Sequence, residues 1–324
     1  MAVSTNWREA HLSDADRAML EFSEKLTLLP CDMKEADVAG LRRHGFTDRE
    51  ILSITLAAAY RNFITRVADA LGVELRQGEN YTPDILHAFG VTQEEAQTTM
   101  YGNRQVAELE AEPESDRDPP RSGIAAPGAP VSQSVSRALC WIETAAEPLQ
   151  EASDAFAAGF PRNLAQALSL RSEALRATLG LGRLAGMGRS GLGRRLEATI
   201  GLTVAAALQV PYMVAHHASA LPDAGGDGIG ITGRGEVLGL DEKEQQVARF
   251  CEKLTLLPSP MARSDLEAVR ACGFEDRDLL TIVASTAFEN FLCRVAAGVG
   301  VGLETAGQAS LAGGMAHRTL LADS

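Results

Sequence analysis

The stretch LQVPYMVAHHASAL, residues 208–221, carries the chain's one adjacent histidine pair, His216 and His217. Imidazole titrates near neutrality, so a histidine in an apolar helix is a candidate proton carrier or metal ligand. Pro211 suits the first turn of a helix. Met213 and Val210, one and two turns before His217, offer it no chemical partner. Neighbours on a helix point about 100° apart, so the two histidines are not expected to face one ligand site together. No HxxxH, HxxE or Cys/His spacing supplies further ligands, and no metal is expected.

The other reactive residue types give weaker signals. Cys31, Cys140, Cys251, Cys272 and Cys293 include no CxxC pair. The last three lie in apolar helical contexts that read as buried free thiols, which fits a reducing compartment. Residues 228–233 (GIGITG) and 186–191 (GMGRSG) match G-x-G-x-x-G. Neither follows a strand, as a dinucleotide fingerprint requires, so both read as loops and no cofactor is expected. The formal net charge of −13 argues against nucleic acid or an anionic membrane as partner. The N-terminus has no apolar signal-like core. The longest apolar run, near residues 200–215, is interrupted by Gln209 and Pro211 and is too short to span a bilayer. A cytoplasmic protein is the expectation.

The elements that hold these residues follow from a repeat. EKLTLLP occurs at residues 24–30 and 252–258, and residues 12–75 align without gaps onto 240–303. Matched pairs include Phe22/Phe250, Asp37/Asp265, Gly45/Gly273, Asn62/Asn290, Phe63/Phe291 and Arg66/Arg294. The period is too long for a solenoid, so this is a duplicated module. Each copy reads as three helices. Ser13 and Asp241 cap the first, which stops before Pro30 or Pro258. The second is expected to start near Asp32, or near Ser259 with Pro260 at its first position, and to end at Gly45 or Gly273. The third opens in copy one with Thr47 and Glu50 as a capping box and closes at Gly72. Nothing alternates with period two, so the fold class is all-α. Asn62/Asn290 and Arg66/Arg294 recur in both copies and read as structural, the amides satisfying buried backbone and the arginines pairing with acids such as Asp48 or Asp276.

Boundaries follow: residues 1–75 as the extra half-module, and 76–135 as a Pro/Gly/acid-rich linker, flexible or extended, with a short helix at 82–100. Residues 136–221 form a helical half holding the histidines, and 222–238 a glycine-rich loop. Residues 239–305 are the second half-module and 306–324 a tail.

Residues 136–303 taken in order resemble the alkylhydroperoxidase D / carboxymuconolactone decarboxylase superfamily, in its peroxidase-related branch. The resemblance rests on SGLGRRLEATIGLTVAAALQVPYMVAHHASAL for the active-site segment. It rests also on EKLT, the GF-x-DR turn and the N-F-x-x-R-V-A ending for the closing helices. It implies an alkylhydroperoxidase D-like helical fold that oligomerises, and a redox site of one glutamate, two cysteines and one histidine. In that frame the glutamate position holds Ala198, the cysteine positions hold Val210 and Met213, and His217 stands at the histidine. Glu197 is one place off and is expected on another face. Neither valine nor methionine forms a thiolate or a disulfide, so thiol peroxidase chemistry is excluded at these positions.

Three functional readings remain. The first is a non-redox binding or assembly module. The second is a cysteine-independent, decarboxylase-like enzyme with His217 as general acid/base, His216 or Tyr212 assisting, and a small-molecule carboxylate meeting Arg194 or Arg195. The third is a hydroperoxide reductase with a non-standard cysteine among Cys251, Cys272 and Cys293. A homo-oligomer is expected in each case. The extra half-module is expected to take the place of a partner's closing helices.

Overall fold

The structure is a computed structural model that describes residues 7–73, 139–144, 150–152, 159–188, 190–221, 225, 229–231, 236–258 and 261–303. The expected linker, its helix at 82–100 and the tail at 306–324 lie outside the described residues, as do Ser259 and Pro260. The regular secondary structure among the described residues is helical apart from one antiparallel ribbon, β1 (Gly230–Ile231) with β2 (Val237–Leu238). That ribbon falls in the stretch expected to be loop. At two residues per strand it is too short to leave a period-two pattern.

The N-terminal module is α1 (Asp14–Leu28), α2 (Glu35–Arg43) and α3 (Asp48–Leu71). Residues 139–221 hold α4 (Arg162–Leu168), α5 (Ser172–Leu184), α6 (Arg194–Ala207) and α7 (Pro211–Ala220). The C-terminal module is α8 (Glu242–Leu256), α9 (Arg263–Arg270) and α10 (Asp276–Gly298). Local chemistry sets the boundaries. Ser13 Oγ accepts the Asp16 N–H at 3.1 Å and Asp241 accepts that of Glu244 at 2.8 Å. Thr47 and Glu50 exchange side-chain and main-chain bonds as a capping box. The second helix of each module starts later than expected. Asp37 and Asp265 accept the main-chain N–H groups of Lys34 and Ala262 at 2.7 Å, fixing the starts at Glu35 and Arg263. Gly45 and Gly273, at φ +91° and +85°, turn the chain into the third helix.

Helix α10 is the centre of the molecule. Long and apolar enough to cross a membrane, its most apolar window is 72% buried, as in a core helix. One side packs on α3 and the other on α6 and α7. The α3–α10 contact repeats itself across an approximate two-fold. Arg66 Nη2 donates to the Thr255 carbonyl at 2.7 Å, and Arg294 Nη2 donates to the Thr27 carbonyl at 3.1 Å. Asn62 Nδ2 donates to Thr27 Oγ1 (3.2 Å) and the Ala58 carbonyl; Asn290 Nδ2 donates to Thr255 Oγ1 (2.9 Å) and the Thr286 carbonyl. The amides thus satisfy backbone within their own helices. The arginines do not pair with Asp48 or Asp276, which are taken by Arg42 and Arg270. They reach across to the opposite module, because their long side chains leave the helix on the buried side, where the unpaired carbonyls lie.

Candidate functional site

The site is built by the turn between α6 and α7. Helix α6 ends at Ala207, and two residues on Gln209 turns the chain with a left-handed φ of +52°. The Val210 N–H returns to the Ala205 carbonyl and that of Gln209 to Ala206, both at 3.0 Å, and satisfy the last turn. A side chain in this conformation costs about 1–2 kcal/mol. Pro211 then starts α7 at once, so the second helix folds back along the first.

This reversal lays the His217 ring on the middle of α6 at Gly201. A Cβ built at Gly201 would lie 2.2 Å from His217 Cε1 and 2.5 Å from Nδ1. Only glycine leaves that slot open, although it weakens a helix interior by about 1 kcal/mol relative to alanine. His217 Nε2 sits 2.9 Å from Glu289 Oε2 on α10. The two side chains are 10% and 17% exposed. An ionised carboxylate can only accept, so against it the ring presents Nε2–H.

The pair opens on a cavity of about 590 Å³. Its polar lining comes chiefly from His216, His217, Glu289, Glu197 and Arg194, its apolar lining chiefly from Ile200, Met213, Phe288 and Leu292. That volume suits a small organic ligand. Both histidines line it, contrary to the expectation that they point apart. The imidazoles reach far enough from the helix axis to meet edge-on, 5.0 Å between centroids at 70°. His216 keeps part of its surface open. Burial, with a smaller contribution from His217, pushes its ring down to about 3, so it stays neutral near pH 7.

Other expected residues are redistributed. Glu197 does line the cavity, because it sits in the first turn of α6 and its carboxylate turns back to the loop, accepting the Ser190 N–H at 3.3 Å and the Ser190 hydroxyl. Ala198 and Met213 form buried wall. Val210 is buried at the start of α7. Tyr212 is not among the described lining residues: its hydroxyl accepts the Leu164 N–H at 3.2 Å, satisfying the start of α4. The two arginines separate. Arg195 binds Glu244 through Nε (2.5 Å) and Nη2 (3.0 Å) and donates to the Gly225 carbonyl. Arg194 is exposed at the cavity edge and makes no ion pair among the described residues.

No cysteine lies among the described lining residues. Burial pushes the Cys251 thiol up to about 12, holds Cys293 well above the usual range and moves Cys140 to about 11. Such thiols are poor nucleophiles at neutral pH. Of the GMGRSG stretch, Gly186 and Gly188 lie between α5 and α6 and border the cavity. No group of three or more His, Cys, Asp or Glu with metal-holding geometry occurs among the described residues.

Two residues that make the site were not singled out in the sequence. Glu289 stands where the first copy has Arg61, a reversal of charge immediately before the matching N-F-x-x-R segments. Gly201 interrupts an apolar helical run that has no turn to explain it.

Fold and site together define an all-α protein with a histidine–glutamate pair on an open cavity. No protein-family model matches the chain, and no curated protein matches it. Among solved structures, an uncharacterized peroxidase-related protein from Silicibacter sp. TM1040 is similar in part, with a TM-score of 0.42 and 25% identity over 49% of this chain and 88% of that one.

Proposed function

We propose that the cavity binds a small carboxylate and that His217 moves a proton on it, in a thiol-independent reaction of the decarboxylase or isomerase kind. The observation that carries the reading is the 2.9 Å contact between His217 Nε2 and Glu289 Oε2 at the wall of an open cavity. A carboxylate that fixes one ring nitrogen leaves the other oriented as general acid or base. In the alkylhydroperoxidase D-like frame the relay glutamate is missing at Ala198, and Glu289 supplies a carboxylate from another helix. Arg194 at the edge is the group to hold the ligand's carboxylate. Ile200, Phe288 and Leu292 take its apolar body. In isomerisation His217 Nδ1 takes the proton of the C–H bond that breaks and returns it to the same or a conjugated carbon of the ligand. In decarboxylation the C–C bond breaks with its electron pair left on the ligand, CO2 departs, and that pair takes a proton that Nδ1 has drawn from solvent.

The test is a panel of unsaturated and β-oxo carboxylates incubated with the protein in D2O and followed by NMR. The reading expects deuterium incorporation or CO2 loss for at least one compound, abolished in His217→Asn and kept when all cysteines are replaced. Turnover that survives His217→Asn, or depends on a cysteine, would overturn it. A pure binding role is the second reading, favoured by the buried α3–α10 clasp; it predicts carboxylate binding with no exchange.

A further inference from the structure

The approximate two-fold between the modules extends to the ends of α3 and α10. Gly72 and Gly300 close these helices at φ +60° and +62°. The N–H groups of Val73 and Val301 return to the Ala68 and Ala296 carbonyls at 3.0 and 2.9 Å, so the two turns match. Arg42 pairs with Asp48 in one module and Arg270 with Asp276 in the other. One groove is framed by Arg42, Asp48 and residues 299–302. The two-fold sets against it a second, framed by Arg270, Asp276 and residues 71–73.

The chain fills the first groove itself with residues 139–143, LCWIE. The Trp141 N–H donates to the Val299 carbonyl and the Gly302 N–H to that of Leu139, both at 2.8 Å. Arg42 Nη2 donates to the Trp141 carbonyl and Asp48 accepts the Glu143 N–H, both at 2.6 Å. The Trp141 ring lies on Gly300, where an added Cβ would run into it. The main-chain bonds are indifferent to side-chain identity; the ring on glycine is not.

Among the described residues nothing occupies the second groove. A Cβ at Gly72 would meet no atom within 4 Å. The Asp276 side chain is 86% exposed, against 11% for Asp48. Leu71 and Val73 are 39% and 51% exposed, whereas Val299 and Val301 are buried. The chain's other tryptophan, Trp7, packs with Arg8 ahead of α1. Unpaired main-chain groups beside an apolar strip recruit an extended peptide.

Charge tells what kind of peptide. In the first groove Arg42 is held above its ordinary value chiefly by Asp48, with a smaller pull from Glu143. In the second, Glu267 stands where the first copy has Ala39, and it binds Arg270 Nη1 at 2.7 Å. Arg270 therefore already has two acids, and a further acid from an occupant would be repelled. The segment LCWIE fits the first groove better than the second.

We infer that the second groove docks an extended segment of another protein. That segment seats an aromatic ring over Gly72, gives Arg270 its carbonyl and Asp276 an N–H two residues on, and carries lysine or arginine where LCWIE has Glu143.

The probe is a fluorescein-labelled peptide of residues 137–144 carrying Glu143→Lys, titrated with the full chain under reducing conditions and followed by anisotropy. Saturable binding is expected, and weaker binding of the same peptide with Glu143 kept. Affinity is expected to fall at least about tenfold in Asp276→Ala, in Gly72→Asn and with Trp141→Ala in the peptide. Asparagine tolerates the left-handed backbone of Gly72 but fills the space above it, and Asp276 is exposed, so both variants keep the fold. The inference would be overturned by absence of saturable binding, by equal affinity for the Lys and Glu peptides, or by binding that both protein variants retain. A lower sedimentation mass for Asp276→Ala than for the unsubstituted protein would also overturn it, since a second copy of this chain would then be the occupant.

Discussion

Replacing Gly201 with alanine adds one methyl group to the middle of α6, and elsewhere in a helix this substitution stabilises. Alanine is favoured over glycine by about 1 kcal/mol in a helix interior. Here the added carbon would lie 2.2 Å from His217 Cε1, 2.5 Å from Nδ1 and 2.6 Å from Nε2. Carbon contacts settle near 3.5–4.0 Å, so the ring must withdraw by more than about 1 Å. The 2.9 Å contact to Glu289 then passes the useful range of a hydrogen bond. Losing a bond to a charged group removes about 1.5–3 kcal/mol. Net destabilisation of roughly 0.5–2 kcal/mol follows, once the helix gain is set against it. The decisive assay is a double-mutant cycle by chemical denaturation. Gly201→Ala should destabilise the unsubstituted protein but stabilise His217→Ala by about 1 kcal/mol, because the ring that filled the slot is gone. If Gly201→Ala stabilises both backgrounds equally, the ring does not occupy the slot and the derivation of the site is wrong.

Further expectations separate neighbouring residues. Arg195→Ala leaves the buried Glu244 carboxylate without its partner and should lower stability by about 1–3 kcal/mol, whereas Arg194→Ala should leave the melting temperature unchanged and weaken carboxylate binding. Asp69 is buried with Oδ1 unpaired, and desolvation lifts its carboxyl to about 6 against the pull of Arg66. The folded state therefore holds this proton more tightly than the unfolded chain, and stability falls as pH rises from about 4 through 6. Asp69→Asn should remove that slope and stabilise the protein above pH 6 by on the order of 1 kcal/mol; urea midpoints on either side of the window check it. Iodoacetamide on the native protein at neutral pH should label exposed Cys31 ahead of Cys140, Cys251 and Cys293, as peptide mass spectrometry would show. Equal labelling of Cys251 or Cys293 would reopen a thiol reading.

How much was legible in the sequence varies with the range of the interaction. The module helices were readable because their signals are local: Ser13, Thr47 and Asp241 cap within three residues, and Gly45 and Gly273 sit at the turns. The second helices were placed three to four residues early, because Pro30 opens a separate 3-10 turn and the aspartate bonds that fix the true starts lie inside the helix. The reach of Arg66 and Arg294 was misjudged. Nearby acids are visible in a sequence, whereas a carbonyl on the facing module becomes visible only after folding. The same limit governs the site. His217 could be found from its helix, but Glu289 joins it from 72 residues away through the packing of α10 on α7. Tyr212 lies beside the histidines in sequence and points to α4 in space.

The central claim is that His217, oriented by Glu289, faces a cavity that receives a carboxylate. Nitrogen-15 NMR of the imidazole rings, recorded with and without benzoate, tests it most directly. In the free protein the His217 ring is expected to carry a proton on Nε2. Benzoate is expected to move the His216 and His217 signals, a response lost in Arg194→Ala. A ring protonated on Nδ1, or signals that no carboxylate of the panel moves, would contradict it.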